Sequence, residues 1–327
     1  MLARMPLRSG LHSVAVVALV GVLIGVLRGA GPQSPSAAPQ RPRILGVAHV
    51  AFFVSDLEKA RAFYRGLLGF DEPFTLPGQD GAIDIAFVKI NDRQWIELFN
   101  RPSAGEGQLN HIALYTESAD AMRDYLASRG VSVPEKVPKG RTGNKNFTVK
   151  DPDGHVVEIV EYQKDSWTAA DAGKHMPAGR LSTRALHVGI LSGRLDRSLA
   201  FYGGILGFQE FWRGNAATSK TLSWVNIRVP DGTDYVELML YDQLPAPESR
   251  GSAHHLCLEV PDVERAVAAF DARALRSGYT REVAIRTGVN RKRQVNLFDP
   301  DGTRVELMEP QTVDGKPAPS SLLSPPR

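Results

Sequence analysis

Hydrophobic and polar positions along the chain follow a scheme that repeats four times. Short alternating runs start at His49 (HVAFFV), His111 (HIALYT), His187 (HVGIL) and His255 (HLCLEV). Runs of this length and composition predict strands with one buried face. Each is followed by an apolar period near 3.6 residues, over 55–68, 117–129, 193–206 and 262–275, which predicts a helix. Each group closes on a strand carrying a glutamate: WIELF with Glu97, VVEIV with Glu158, VELML with Glu237 and VELME with Glu306. The histidine-to-glutamate separations are 48, 47, 50 and 51 residues, room for a strand, a helix and about three more strands. Asp151-Pro152-Asp153-Gly154 and Asp299-Pro300-Asp301-Gly302 supply hairpin chemistry before the last strands of groups two and four.

Parity places the polar residues. Side chains alternate faces along a strand. Val50, Phe52 and Val54 share the face that can pack on a helix, and His49 points the other way. Ile96 and Leu98 oppose Glu97, Val188 and Ile190 oppose His187, and Val236 and Leu238 oppose Glu237. Leu256 and Leu258 oppose His255, as Val305 and Leu307 oppose Glu306. In every group the histidine and glutamate therefore lie on the sheet face that the helix leaves open. Two such sheets curved toward each other would enclose a cleft lined by two histidines and two glutamates. That nitrogen and oxygen set suits a divalent metal, whose charge two carboxylates would balance.

The second half of the chain is a copy of the first. Residues 49–72 and 187–210 share 11 of 24 positions, and 147–163 and 295–311 share 8 of 17. Ahead of this repeat, Arg4 and Arg8 precede the apolar run Ser13–Leu27. That is the pattern of a secretory leader, short for a spanning helix. Residues 1–28 are expected to be a signal peptide or an uncleaved N-terminal anchor, which exports the rest to the periplasm or outside the cell. Residues 29–43 are rich in Pro, Ser and Ala and read as linker. The net charge of +3 gives no argument for nucleic acid, and the single cysteine, Cys257, excludes an intramolecular disulfide and any thiolate metal cluster.

The units from His49 (HV-x3-V-x-DLEKARAFYRGLLGF), the FYGGILGF echo at 201–208, and DPDG-x3-E at 151–158 and 299–306 resemble the βαβββ modules of the vicinal oxygen chelate (VOC) superfamily. That superfamily includes glyoxalase I, methylmalonyl-CoA epimerase, extradiol dioxygenases and bleomycin-resistance proteins. The resemblance implies an α+β chain of two tandem domains. These are 44–163 (modules 44–101 and 108–163) and 184–311 (modules 184–242 and 253–311), joined by a linker at 164–183 and followed by a flexible tail at 312–327. It implies one ligand set of His49, Glu97, His111 and Glu158, and a second of His187, Glu237, His255 and Glu306. The ion would be Zn, Fe, Mn or Ni. Modules can pair as 1+2 and 3+4, or exchange partners.

The activity implied is Lewis-acid proton transfer on a small vicinal-oxygen substrate, a lyase or isomerase reaction, with Glu158 and Glu306 as catalytic bases. Extradiol cleavage with Fe(II) is the alternative. That family places a Tyr about ten residues before the last Glu, where this chain has Asn296. A non-catalytic binding protein of the bleomycin-resistance type is a third reading. Arg141 and Arg286 recur in Arg-Thr-Gly tripeptides and are weaker candidates for an anionic substrate group. Cys257 shares the parity of His255, and His254 is expected to face outward. Partners are then limited to a small molecule, with membrane contact only through the N-terminal segment, in a monomer or homodimer.

Overall fold

The computed structural model describes residues 39–105 and 107–326. The leader and most of the first linker lie outside them. In the first half the elements are β1 (Ile44–Val54), α1 (Leu57–Arg61), β2 (Asp71–Pro77), β3 (Ile83–Lys89), β4 (Trp95–Asn100), β5 (Leu109–Thr116), α2 (Ala119–Ser128), β6 (Lys145–Lys150) and β7 (Val156–Glu161). A short helix, α3 (Trp167–Ala170), sits in the connection. The second half runs β8 (Arg184–Ser192), α4 (Leu195–Ser198), β9 (Gln209–Gly214), β10 (Trp224–Arg228), β11 (Tyr235–Leu240), β12 (His255–Glu259), α5 (Val263–Asp271), β13 (Ile285–Thr287), β14 (Lys292–Phe298) and β15 (Arg304–Thr312). Asp56, Ser118 and Asp262 cap their helices by accepting the backbone N–H three residues on. α1 and α4 each continue as a wider π-helical turn, over Ala62–Leu67 and Leu199–Ile205.

Each half is one curved mixed sheet. The strand orders are β2-β3-β4-β1-β5-β7-β6 and β13-β14-β15-β12-β8-β11-β10-β9. In the middle of each sheet the two histidine strands pair antiparallel, β1 with β5 and β8 with β12. The modules therefore pair as 1+2 and 3+4. Val50, Phe52, Ile96, Leu98, Ile112 and Ile159 form the helix-facing core of the first half, all of them buried. Module 2 departs from the expected three strands after its helix and has two, β6 and β7. The missing strand falls where Pro134 and Pro138 remove ladder donors, and only an isolated bridge from Lys139 to Lys145 remains.

The repeated motifs meet each other across the two halves, in reciprocal pairs. Tyr64 donates its hydroxyl to Asp299 at 3.2 Å, and Tyr202 donates to Asp151 at 3.0 Å. The Ser55 and Gly193 amides donate to Asp301 and Asp153 at 3.0 and 3.1 Å. The aromatic of each FY helix thus answers the DPDG turn of the other half. His254 has a place in this seam: it is buried, not outward-facing, with its ring edge-on to His155 of the first half at 5.1 Å. A hydrogen bond to a buried acid contributes about 1.5–3 kcal/mol. Tyr64→Phe and Tyr202→Phe are each expected to lower stability in that range in urea unfolding, without altering ligand binding in either cleft.

The segments after β7 and β15 are held across the open seams of their sheets. Trp167 packs edge-on against Phe74 of β2 at 5.2 Å, while its amide donates to Thr142 before β6. After β15, Val313 donates to Arg291, Ser321 donates to Arg213 of β9, and Trp212 donates its indole N–H to Pro319. The stretch expected to be a flexible tail is therefore hydrogen-bonded through Ser324, whose carbonyl accepts from Leu222.

Candidate metal centres

Pairing of the two histidine strands creates each centre. In the first half Ala51 lies beside both Glu97 and His111, and Ala113 lies beside both His49 and Glu158. Four long polar side chains thus surround two methyl groups and lean inward over them. In the second half the same two places are Gly189, beside Glu237 and His255, and Cys257, beside His187 and Glu306. A Cβ at Gly189 would fall inside the His255 ring, so this glycine is required by close approach. A small residue two positions after each histidine is a fourfold sequence signal that the spacing of His and Glu alone does not reveal.

All eight expected ligands come together, four in each half. His49 and His111 approach through their Nε2 atoms at 2.9 Å. Glu97 lies 3.5 Å from His49 and 3.8 Å from His111, and Glu158 lies 3.7 and 3.3 Å from the same two atoms. In the second half His187 and His255 meet at 3.0 Å, Glu306 is 3.5 Å from His187, and Glu237 is 3.5 Å from His255. Ligand bonds of about 2.0–2.2 Å place neighbouring donors about 3.0–3.5 Å apart. Three side chains per half, His49, His111 and Glu158 and then His187, His255 and Glu306, bring ligand atoms within 4.8 Å of one another and fit one divalent ion, all six buried, with Glu97 and Glu237 beside them.

Neighbouring groups orient the ligands. Asn110 faces His111 Nδ1 at 2.9 Å, and the Asn146 amide donates to Glu158 at 2.9 Å. In the second half the Gln294 amide donates to Glu306 at 2.7 Å, and the Ala253 carbonyl lies 3.0 Å from His255 Nδ1. Such outer contacts fix ring orientation and carboxylate position. Asn146 and Gln294 each stand 12 residues before their glutamate, so the repeat contained this signal too. Of the two arginines, Arg141 donates to the Pro77 carbonyl and lies near Asp84, away from the ligands. Arg286 is exposed near Glu282, on a cavity of about 330 Å³ that also touches Asn296.

Burial and mutual charge set the protonation of the metal-free centres. Burial opposes the charged form of His49, but Glu97 and Glu158 more than offset it and raise its pKa to about 9. Burial lowers His111 to about 4, despite Glu158. Burial pushes Glu158 up, but His49, His111 and Asn146 together hold it at about 2. Burial, and then Glu306, push Glu237 up to about 8. Burial also pushes Glu97 up to about 7. At pH 7 the first centre thus keeps a proton on His49 and part of another on Glu97, and the second keeps one on Glu237. Metal ligation requires these groups deprotonated. Loading a divalent ion at pH 7 is expected to release at least one proton per centre, more from the first, with affinity rising as pH increases toward 8–9. Calorimetry in buffers of different ionisation enthalpy reads this directly.

A family model described as the Glyoxalase/Bleomycin resistance protein/Dioxygenase superfamily matches residues 46–159 and 184–307. The chain belongs to this superfamily. Human mitochondrial methylmalonyl-CoA epimerase is 29% identical over 127 residues, 35% of this chain and 72% of the relative. Among solved structures, an extradiol ring-cleaving dioxygenase from B. fuscum superposes with a TM-score of 0.62 at 18% identity, over 87% of this chain and 77% of its own. A Mn(II)-bound glyoxalase from Novosphingobium aromaticivorans superposes with a TM-score of 0.60 at 18% identity, over 82% of this chain and 83% of its own. The two structural likenesses concern the fold. As a VOC chain, the protein has the expected tandem arrangement of two domains, each with a curled mixed sheet.

Proposed function

We propose that the protein is a metal-dependent VOC enzyme that moves a proton on a small substrate with two vicinal oxygens. The observation that carries this is the convergence of two imidazoles and one carboxylate within 4.8 Å in each half, with Glu97 3.5 Å from His49 and Glu237 3.5 Å from His255. His49, Glu97, His111 and Glu158 would hold one ion, and His187, Glu237, His255 and Glu306 the other, drawn from Zn, Fe, Mn and Ni. A bound ion would supply Lewis acidity to the substrate oxygens. The protein supplies orientation, a dry cleft and a base.

Glu158 and Glu306 are the bases that the family resemblance implies. Each is tethered by an amide, from Asn146 and Gln294 respectively, while Glu97 and Glu237 have no such tether among the described residues. An untethered carboxylate swings more readily toward a substrate carbon, so Glu97 and Glu237 compete for the same role. Glu→Gln changes at all four positions separate them: the base is the position where turnover falls about 10²–10⁴-fold with metal content retained. The primary test is a screen of vicinal-oxygen substrates before and after chelation. Turnover lost on chelation and restored by one of the four ions supports the proposal. A protein that takes up none of them would sink it.

The dioxygenase alternative has one observation for it and one against. Two histidines and one glutamate come within 4.8 Å of one another in each half, the ligand set of an Fe(II) facial triad. The β14 neighbour of Glu306 is Asn296, where ring cleavage would call for a tyrosine. We also propose, on the leader pattern alone, that the mature protein works outside the cytoplasm; fractionation that finds the full-length chain in the cytosol would overturn this.

A further inference from the structure

The two centres share their ligands but not their walls. On the cleft face of the first, the strand neighbours of Glu97 and Glu158 are Phe87 and Thr148. In the second, the neighbours of Glu237 and Glu306 are Asn226 and Asn296. Two residues before the last glutamate the first half has Val156 and the second has Arg304. Aromatic packing dominates the first wall, with Phe74 4.9 Å from Phe87 and 5.2 Å from Trp95. Arg304 pairs with His255 in the ladder, and its terminal nitrogen lies 2.6 Å from His255 Nδ1.

The second cleft also holds polar atoms without a hydrogen-bond partner among the described residues. Buried without a hydrogen-bond partner are His187 Nδ1, Asn226 Oδ1, Asn296 Oδ1 and Arg304 Nε. His187 is 1% exposed and Asn226 is 3% exposed. Buried polar groups are nearly always paired, so a cluster of orphans marks a place where a ligand or water belongs. Asn296 is also on the wall of a separate cavity of about 330 Å³, lined by Arg281, Glu282, Ala284, Arg286 and Phe298 and by none of the ligands. That volume lies in the range of small-molecule sites.

We propose that the second site takes a small hydroxylated or keto carboxylate, with Arg304 as its charge anchor. The Nε–H of the guanidinium is unpaired, while Nη2 faces His255, so Nε can donate a charge-assisted hydrogen bond to a carboxylate. The Asn226 and Asn296 amides can donate to or accept from a hydroxyl beside it. The first site has Val156, Phe87 and Thr148 in the places of Arg304, Asn226 and Asn296, and among its wall atoms Trp95 Nε1 is unpartnered. The proposal deepens the enzymatic reading, because a carboxylate and its adjacent oxygen are vicinal oxygens. Its charge anchor does not depend on an ion being present.

The test titrates tartronate, with glycerol as its uncharged counterpart, into metal-free and Mn²⁺-loaded full-length protein by calorimetry. The expected result is one tartronate per chain and no measurable glycerol binding. Arg304→Val, which copies the first half, should weaken tartronate at least tenfold, and Asn226→Ala should weaken it independently. Tartronate binding that neither variant alters would overturn the proposal, as would glycerol binding equal to tartronate. If the protein takes up none of Zn, Fe, Mn and Ni, the metal-dependent reading fails. The charge anchor then stands or falls on whether metal-free protein binds tartronate in an Arg304-dependent way.

Discussion

His111→Ala is expected to remove one equivalent of bound metal per chain, and His255→Ala to remove the other. The reason lies in the module pairing. Of the eight candidate ligands, His111 meets His49, Glu97 and Glu158, all of the first half, and His255 meets His187 and Glu237, both of the second. Losing an outer-sphere partner typically costs 10–100-fold in metal affinity, so losing an imidazole ligand should cost more than about 100-fold. The readout is metal content after dialysis: about two ions for the wild type, one for each single variant and none for the double variant. Loss of both ions from one substitution would contradict two independent centres.

Gly189→Ala is expected to abolish the second centre alone. The new methyl would occupy the space of the His255 ring, and the ring cannot move outward while Arg304 and the Ala253 carbonyl flank its Nδ1. Overpacking of this kind costs about 1–3 kcal/mol. The reciprocal change, Ala51→Gly in the first half, removes a methyl next to His111 and should leave that centre in place. Metal content and urea unfolding measured together decide the matter. A Gly189→Ala protein that retains both ions at wild-type stability would show that the ring has somewhere else to go.

Parity made the cleft face of each strand legible. With Val50 and Ile96 committed to the helix face, His49 and Glu97 had only the cleft to enter, and the same logic held four times over. Pairing of modules was not legible, because both arrangements satisfy the same alternation; only the β1–β5 and β8–β12 ladders separate them. The missing strand of module 2 was visible in Pro134 and Pro138, but the repeat outweighed them in the reading. His254 has the wrong parity for the cleft, and solvent was the default destination. A second buried surface against His155 exists because the other half comes to meet it. Arg304 stands on the cleft face by parity, yet the repeat drew attention to what the halves share, and Arg304 is where they differ.

The reciprocal bonds of Tyr64 with Asp299 and Tyr202 with Asp151 have a bearing on ancestry. A single half would expose a tyrosine and an aspartate that each lack an answer, and two identical halves would supply both answers at once. Those bonds have the reciprocal form of the contact in a two-fold symmetric homodimer, here made within one polypeptide. In a homodimer every substitution strikes both clefts together, so neither can be specialised without the other. Fusion breaks that bond between the copies. Val156 and Arg304 then mark a symmetry already lost, in a molecule whose scaffold still obeys it.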